Sequence, residues 1–381
     1  MGNQIGISEA TGDVWKSIKK STSGPFSIIR LKKSMQLYND CNKHMLEYID
    51  RQIDAGNTII DSSSVLPNIS MDVLASVGLG VNINTFTEPN DEFKTKTDNI
   101  FVTKRWELVQ LLPNIASLLR IKVFNPDSVK YIMTIIKRTM EQRKNGGTLG
   151  KDILGAIIKH KEDNPQDENF DVILKTYVQF VGDANFTLPG MLGATLYYII
   201  SHPEVYSTLI EEQERVFDEN GGRCGNLTEE EVNQLTYLDM VILETTRLVC
   251  FPKMSRLCTK AWKIPDSNVV IPSGTEIVVP VSAIHKDSEY WESPEEFIPE
   301  RFSTKNKGKI QSGTYFPFGT GPRQCLGEAY VKLHIKITVT HLLRNYTLHN
   351  FENLPRVMKR PHVFAFLPKE GLKLKLTRRK I

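Results

Sequence analysis

The chain has 381 residues, 40% of them hydrophobic and 24% charged, with a net charge of +4. That is the composition of a globular protein, too weakly basic to argue for nucleic acid. Five cysteines are scattered at 41, 224, 250, 258 and 325 with no CxxC pair, which excludes a zinc-knuckle pattern and a disulfide framework and fits a reducing compartment.

In chain order, the first twenty residues lack the apolar core of a secretory signal. "RLKKSMQLYNDCNKHMLEYIDRQI" spaces Met35, Leu37, Tyr38, Met45 and Tyr48 for a helix. "VGLGVNI" offers Gly78 and Gly80, but Ile83 stands where the third glycine of GxGxxG belongs. "SVKYIMTIIKRTMEQRK" follows the helix-start signal Asn125-Pro126-Asp127. Ala184 to Pro203 carries no charge, yet its polar residues, proline and glycines predict a buried helix rather than a membrane span. "EVYSTLIEEQERVF" and "LTEEEVNQL" predict further helices, the second with a Thr228–Glu231 capping box. After about residue 258 the texture turns β-branched and prolyl, which predicts short strands. A long helix is expected from about Leu326 to Asn345. His334 and His341 lie on it seven apart, without a third ligand at zinc spacing.

The loop "FPFGTGPRQCLG" lacks the GK[ST] of a phosphate-binding loop. A lone cysteine in such a loop is commonly just a small buried hydrophobe. Here Cys325 sits where loop turns into helix, so helix amides and the positive helix end favour a thiolate. Gly319, Gly321 and Gly327 open an approach for a flat partner, Arg323 offers a cation to a carboxylate, and Phe318 can shield the sulfur. An anionic sulfur beneath a planar, carboxylate-bearing metal cofactor describes haem.

The whole pattern F-x-x-G-x-R-x-C-x-G, as Phe318, Gly321, Arg323, Cys325 and Gly327, resembles the haem-binding signature of cytochromes P450, specifically the animal or arthropod microsomal type. The resemblance runs from about residue 12 to 378. It implies a mainly α fold with small β-sheets, and Cys325 as the ligand of haem b. "ETTR" and "FIPERF" resemble the family's structural clamp, here Glu244, Arg247 and Arg301. "VWKSIKK" resembles the tryptophan helix that reaches a haem propionate, with Trp15 present and Lys19 replacing the usual arginine; Arg256 in "MSRLCTK" is a second propionate candidate. On the central helix Thr187 takes the family's threonine place, Phe186 stands where its acid belongs, and Asp183 lies one turn earlier. Thr187 and Asp183 are the candidate catalytic residues. Pro189 should kink the helix there.

The resemblance further implies one catalytic domain over residues 1–381, N-terminally incomplete: it lacks the family's anchor, first strands and first helices. The implied activity is monooxygenation of a small apolar xenobiotic or lipid-like substrate. Electrons would come from NADPH through NADPH-cytochrome P450 reductase, with cytochrome b5 as a further partner, at the cytosolic face of the endoplasmic reticulum membrane. Residues 106–124 resemble the roof region that touches the bilayer surface, and Lys16, Lys19, Lys20, Lys32, Lys33, Lys305, Lys307 and Lys309 belong to segments flanking the cysteine side. Two alternatives stay open: an isomerase or dehydratase needing no external electrons, and a non-catalytic haem-binding chain.

Overall fold

The computed structural model of the chain describes residues 6–8, 10–101, 123–218, 225–359, 366–367 and 371–379. The expected roof segment therefore lies outside the described residues except for Val123 and Phe124, as does Cys224.

The described residues are mainly helical. Helices α1 (Gly12–Ser23), α2 (Ile28–Lys32) and α3 (Met35–Asp54) come first. The single helix expected from Arg30 is thus two, divided at Ser34, whose hydroxyl donates to Lys151 O at 2.8 Å. Strand β1 (Ile59–Asp61) leads into α4 (Ser62–Val73), which widens into a π-helical turn over Leu74–Leu79. Gly80 ends that turn at φ +64°, where an added Cβ would run into the Arg143 guanidinium. The glycines of "VGLG" therefore serve the backbone.

After α5 (Glu92–Asp98), α6 (Pro126–Gly146) is capped by the Asn125 side chain on the amides of Asp127 and Ser128, and α7 (Ile153–Asp163) follows. The longest helix, α8 (Phe170–Ser201), is buried without a break from Met191 to Ser201, where "LGATLYYIIS" offers no charge to solvent. It packs against α4, α11 and α13 and positions the site. Helices α9 (Pro203–Asp218), α10 (Glu229–Gln234) and α11 (Thr236–Leu248) follow, with the Thr228–Glu231 capping box formed.

Strands β2 (Met254–Leu257), β3 (Trp262–Lys263), β4 (Val270–Ile271) and β5 (Glu276–Val279) pair antiparallel as β2·β5 and β3·β4, beginning slightly before the expected change of texture. The short α12 (Val281–Ile284) precedes the cysteine loop. Then comes α13 (Glu328–Asn345), which starts two residues later than expected. Strands β6 (Tyr346–His349) and β7 (Lys373–Arg378) complete an antiparallel sheet of order β1-β7-β6.

One apolar core links α3, α4, α8, α11 and α13. His334 and His341 are buried in it beside Ser70 and Asn39. Among the described residues no His, Cys, Asp and Glu cluster is built to hold a metal. No helix searched there is long and apolar enough to cross a membrane.

Candidate active site

The cysteine loop is a stack of tight turns. Gly319 N–H donates to Phe316 O at 2.9 Å, Cys325 N–H to Phe318 O at 2.8 Å, and Gln324 N–H to Gly321 O at 3.1 Å. Gly319 and Gly321 take φ of +79° and +74°, conformations a side chain would strain. An added Cβ at Gly319 would stand 3.1 Å from Met254 Sδ, so the loop lies close on β2. His285 fastens it from below: Phe316 N–H donates to its Nε2 at 3.0 Å, so Nδ1 carries the proton and faces Arg247 O at 3.1 Å. Burial lowers His285 to about 4, which keeps it neutral. The sequence reading missed this residue, although it stands in "AIHKDSEYW" between clamp and loop.

Cys325 is reached by solvent, yet protein surrounds it closely enough that desolvation raises its thiol. The Gly327 amide and Lys19 pull the other way, while Asp183 and Glu328 push it further up. The Gly327 amide favours the anion, as expected of this loop, but in the protein by itself burial outweighs it. Metal coordination deprotonates a thiol outright and reverses the balance. An added Cβ at Gly327 would stand 4.0 Å from Cys325 Sγ, in ordinary contact, so this glycine lies beside the sulfur.

The expected cations gather near the loop. Arg256 lies close enough to Arg323 that like-charge repulsion, after burial, lowers Arg323. Lys19 Nζ is 3.4 Å from Gln324 O. The Arg323 guanidinium lies 4.2 Å over the Trp15 ring and donates to Ala10 O at 2.9 Å and Ile7 O at 3.2 Å. Arg323 therefore ties the entrance of α1 to the loop, a role the sequence did not suggest. The Phe318 ring packs against the core beneath Lys332 Nζ, 5.5 Å from its centroid.

Across from the loop, α8 contributes Asp183, Phe186 and Thr187 on one side. Asp183 is solvent-reached but strongly desolvated, which lifts it to about 7. Asp183 stands near enough to Cys325 for its charge to raise the thiol, and both residues are solvent-reached, so α8 and the loop face a common space. Thr187 Oγ1 donates to Asp183 O at 2.9 Å, so the pair meets through backbone rather than through the carboxylate. Phe186, 38% exposed, packs on Phe101 and Phe366. Pro189 lies within α8, which continues through it; the proline removes the N–H that would bond Asn185 O.

The clamp is fully assembled. Glu244 and Arg247 pair through two hydrogen bonds of 2.7 Å, and Arg301 Nε lies 3.3 Å from the same carboxylate. Arg247 also donates to the carbonyls of His285, Pro294 and Glu296.

Haem suits these residues: a solvent-reached thiol, the neighbouring cations Arg256, Arg323 and Lys19, and an opposite wall on α8. On the outer side, a groove of about 460 Å³ is lined by Cys325 with Lys32, Asp239, Glu328, Lys332 and Lys336. A larger cleft of about 720 Å³, between α3 and the α6–α7 connection, includes none of these loop residues.

The family model described as Cytochrome P450 matches residues 1–376. The chain is 27% identical to the probable cytochrome P450 6d4 of Drosophila melanogaster over 97% of this chain and 76% of that protein. It is also 27% identical to cytochrome P450 6d1 of Musca domestica, over 97% of this chain and 77% of the relative. Cytochrome P450 3A2 of Rattus norvegicus is 27% identical over 97% and 75% respectively. Matched along nearly its whole length, the chain belongs to the cytochrome P450 family of haem-dependent monooxygenases.

Proposed function

We propose that this chain oxidises small apolar molecules, xenobiotic or lipid-like, in the chamber between Cys325 and α8, with electrons supplied by a separate NADPH-dependent reductase at the endoplasmic reticulum membrane. The single observation that carries the reading is the nearness of Asp183 on α8 to Cys325 in its loop, close enough for one charge to act on the other while solvent reaches both. Haem held by Cys325 supplies reductive activation of dioxygen, with the thiolate favouring O–O cleavage.

The chain's own residues provide the rest. Arg256, Arg323 and Lys19 present positive charge for the cofactor's carboxylates, with Trp15 holding Arg323 in place. Phe186, Phe101 and Phe366 form an apolar wall that excludes water around substrate. Asp183 and Thr187 are the groups on α8 able to hold a proton within the chamber, Asp183 because it titrates near 7. Lys32, Lys332 and Lys336 line the groove outside Cys325 and suit an acidic electron donor.

The test is reconstitution with haem and a reductase. The expected result is a reduced carbon-monoxide band at the thiolate position and substrate-dependent NADPH consumption yielding oxygenated product. A haem-loaded protein lacking that band, or turnover that proceeds equally without reductase, would overturn the proposal.

A further inference from the structure

Asp183 is the chamber's anomaly. It is exposed on α8 one turn before Phe186, and its carboxylate makes no hydrogen bond or ion pair among the described residues. Only its backbone carbonyl is engaged, by Thr187. Desolvation alone sets its titration, so no described cation stands near enough to keep it ionised. The charged groups around Cys325 are acidic or engaged elsewhere: Glu328 is acidic, Lys19 is directed at Gln324 O, and Arg323 at the carbonyls of Ile7 and Ala10.

One turn along the same side of α8 begins a run of aromatic rings. Phe186 lies 5.4 Å from Phe101 and 6.5 Å from Phe366, and Phe366 lies 5.8 Å from Phe251, centroid to centroid. Phe186 and Phe251 keep 38% and 37% of their surface exposed. Gly190 permits this arrangement, because an added Cβ there would stand 2.6 Å from Phe366 Cβ.

An uncompensated carboxylate in a low-polarity chamber is costly unless what enters supplies the opposite charge. Aromatic faces also attract cations, and the combination is how ammonium groups are held. We infer that the chamber selects substrates bearing a protonated amine on an apolar body, with Asp183 as counter-ion and the Phe101–Phe186–Phe366–Phe251 run as the surface for that body. The inference rests on the proposed function above and narrows its substrate class. A bound cation draws Asp183 to its carboxylate form, so its near-neutral titration does not hinder recognition.

The experiment uses haem-loaded protein and two probes: a phenylalkyl trimethylammonium ion and its neutral tert-butyl isostere. The quaternary nitrogen has no lone pair and cannot ligate iron, so binding reports the chamber alone. Equilibrium dialysis of the wild type should show the cation bound about tenfold or more tightly than the isostere, the range expected for a charge-assisted contact. In Asp183→Asn that preference should collapse to within about twofold, while the isostere binds as before. Equal binding of the two probes by wild type, or a preference that survives in both Asp183→Asn and Asp183→Ala, overturns the inference. The reduced carbon-monoxide band of the same samples separates the failures: a normal band with no charge preference sinks this inference alone, and an absent band sinks the underlying reading with it.

Discussion

Glu244 and Arg247 face each other across paired 2.7 Å hydrogen bonds with both side chains completely shielded from solvent. Helical spacing of three brings them together. What makes the pair structural is its surroundings: three backbone carbonyls complete the guanidinium, and Ile298 N–H donates to Glu244 Oε1 at 2.9 Å. Arg247 also stands 5.0 Å over the Trp291 ring. The pair thereby fixes the segment before Arg301 and, through His285, the cysteine loop itself.

Removing one partner leaves a buried charge uncompensated. Glu244→Gln and Arg247→Ala should each destabilise the protein by about 3–5 kcal/mol. Arg301 makes a longer contact at the edge of the pair, so Arg301→Ala should cost about 1–2 kcal/mol. Urea unfolding of the three variants checks the order; an Arg301 effect equal to the Arg247 effect would contradict this division of labour.

Cys325 enters the loop's scaffold through its backbone N–H, bonded to Phe318 O, and not through packing of its side chain in the core. Cys325→Ala should therefore retain the far-ultraviolet dichroism of the wild type and lose about 1 kcal/mol of stability or less. The same variant should lose stoichiometric haem uptake and the thiolate band, measured by pyridine haemochrome and reduced carbon-monoxide spectra. Full haem content with an unchanged spectrum would remove Cys325 from its proposed role.

The helices were legible because their signals are local. The capping box at Thr228, the cap at Asn125 and the apolar run after Ala184 each depend on residues a few positions apart. The cysteine loop was legible because glycine, arginine and cysteine are held at fixed spacing. Long-range partners were not. Nothing near His285 in sequence announces that its two ring nitrogens join Arg247 to Phe316, residues 38 positions before and 31 after it. Likewise, Arg323 reads as a free cation until the fold brings Ile7 and Ala10 beside it, more than 300 positions away. Part of the thiol's rise was hidden for the same reason, since Asp183, which pushes it up, stands on α8 far away in sequence.

His334 offers a pH test with a definite sign. Burial lowers its folded-state value to about 3 from 6.5, so the unfolded chain takes up a proton that the folded one refuses. Its contribution is intact above pH 6.5 and is lost as pH falls, at about 1.4 kcal/mol per pH unit. Asp72 and Asp183 run oppositely, because burial raises them to about 6 and about 7; their folded forms hold protons, and stability falls as pH rises through those values. A single-variant difference cancels those terms. His334→Gln can keep a hydrogen bond to Ser70 Oγ, which lies 3.2 Å from His334 Nε2. Its stability deficit against wild type should shrink by about 1 kcal/mol between pH 7.5 and 5.5 in urea unfolding. An equal deficit at both values would mean the imidazole is not held neutral.

Thr187 separates a structural hydroxyl from a working one. Its proton is committed to Asp183 O at 2.9 Å, the back-bond that threonine commonly makes within a helix. The oxygen itself remains partly exposed and keeps lone pairs able to accept a hydrogen bond from water or a protonated Asp183. Phe186, where the family's acid would stand, offers no proton, and the proposed relay assigns that task to Thr187 and Asp183 together. Thr187→Ala should change unfolding stability by less than about 1 kcal/mol. In reductase-supported turnover, however, the fraction of consumed NADPH recovered as oxygenated product should fall several-fold, with the remainder appearing as peroxide. Thr187→Ser, which keeps the hydroxyl, should recover most of the coupling. If Thr187→Ala couples as well as wild type, the hydroxyl serves the helix alone and the proton must come to the chamber by another route.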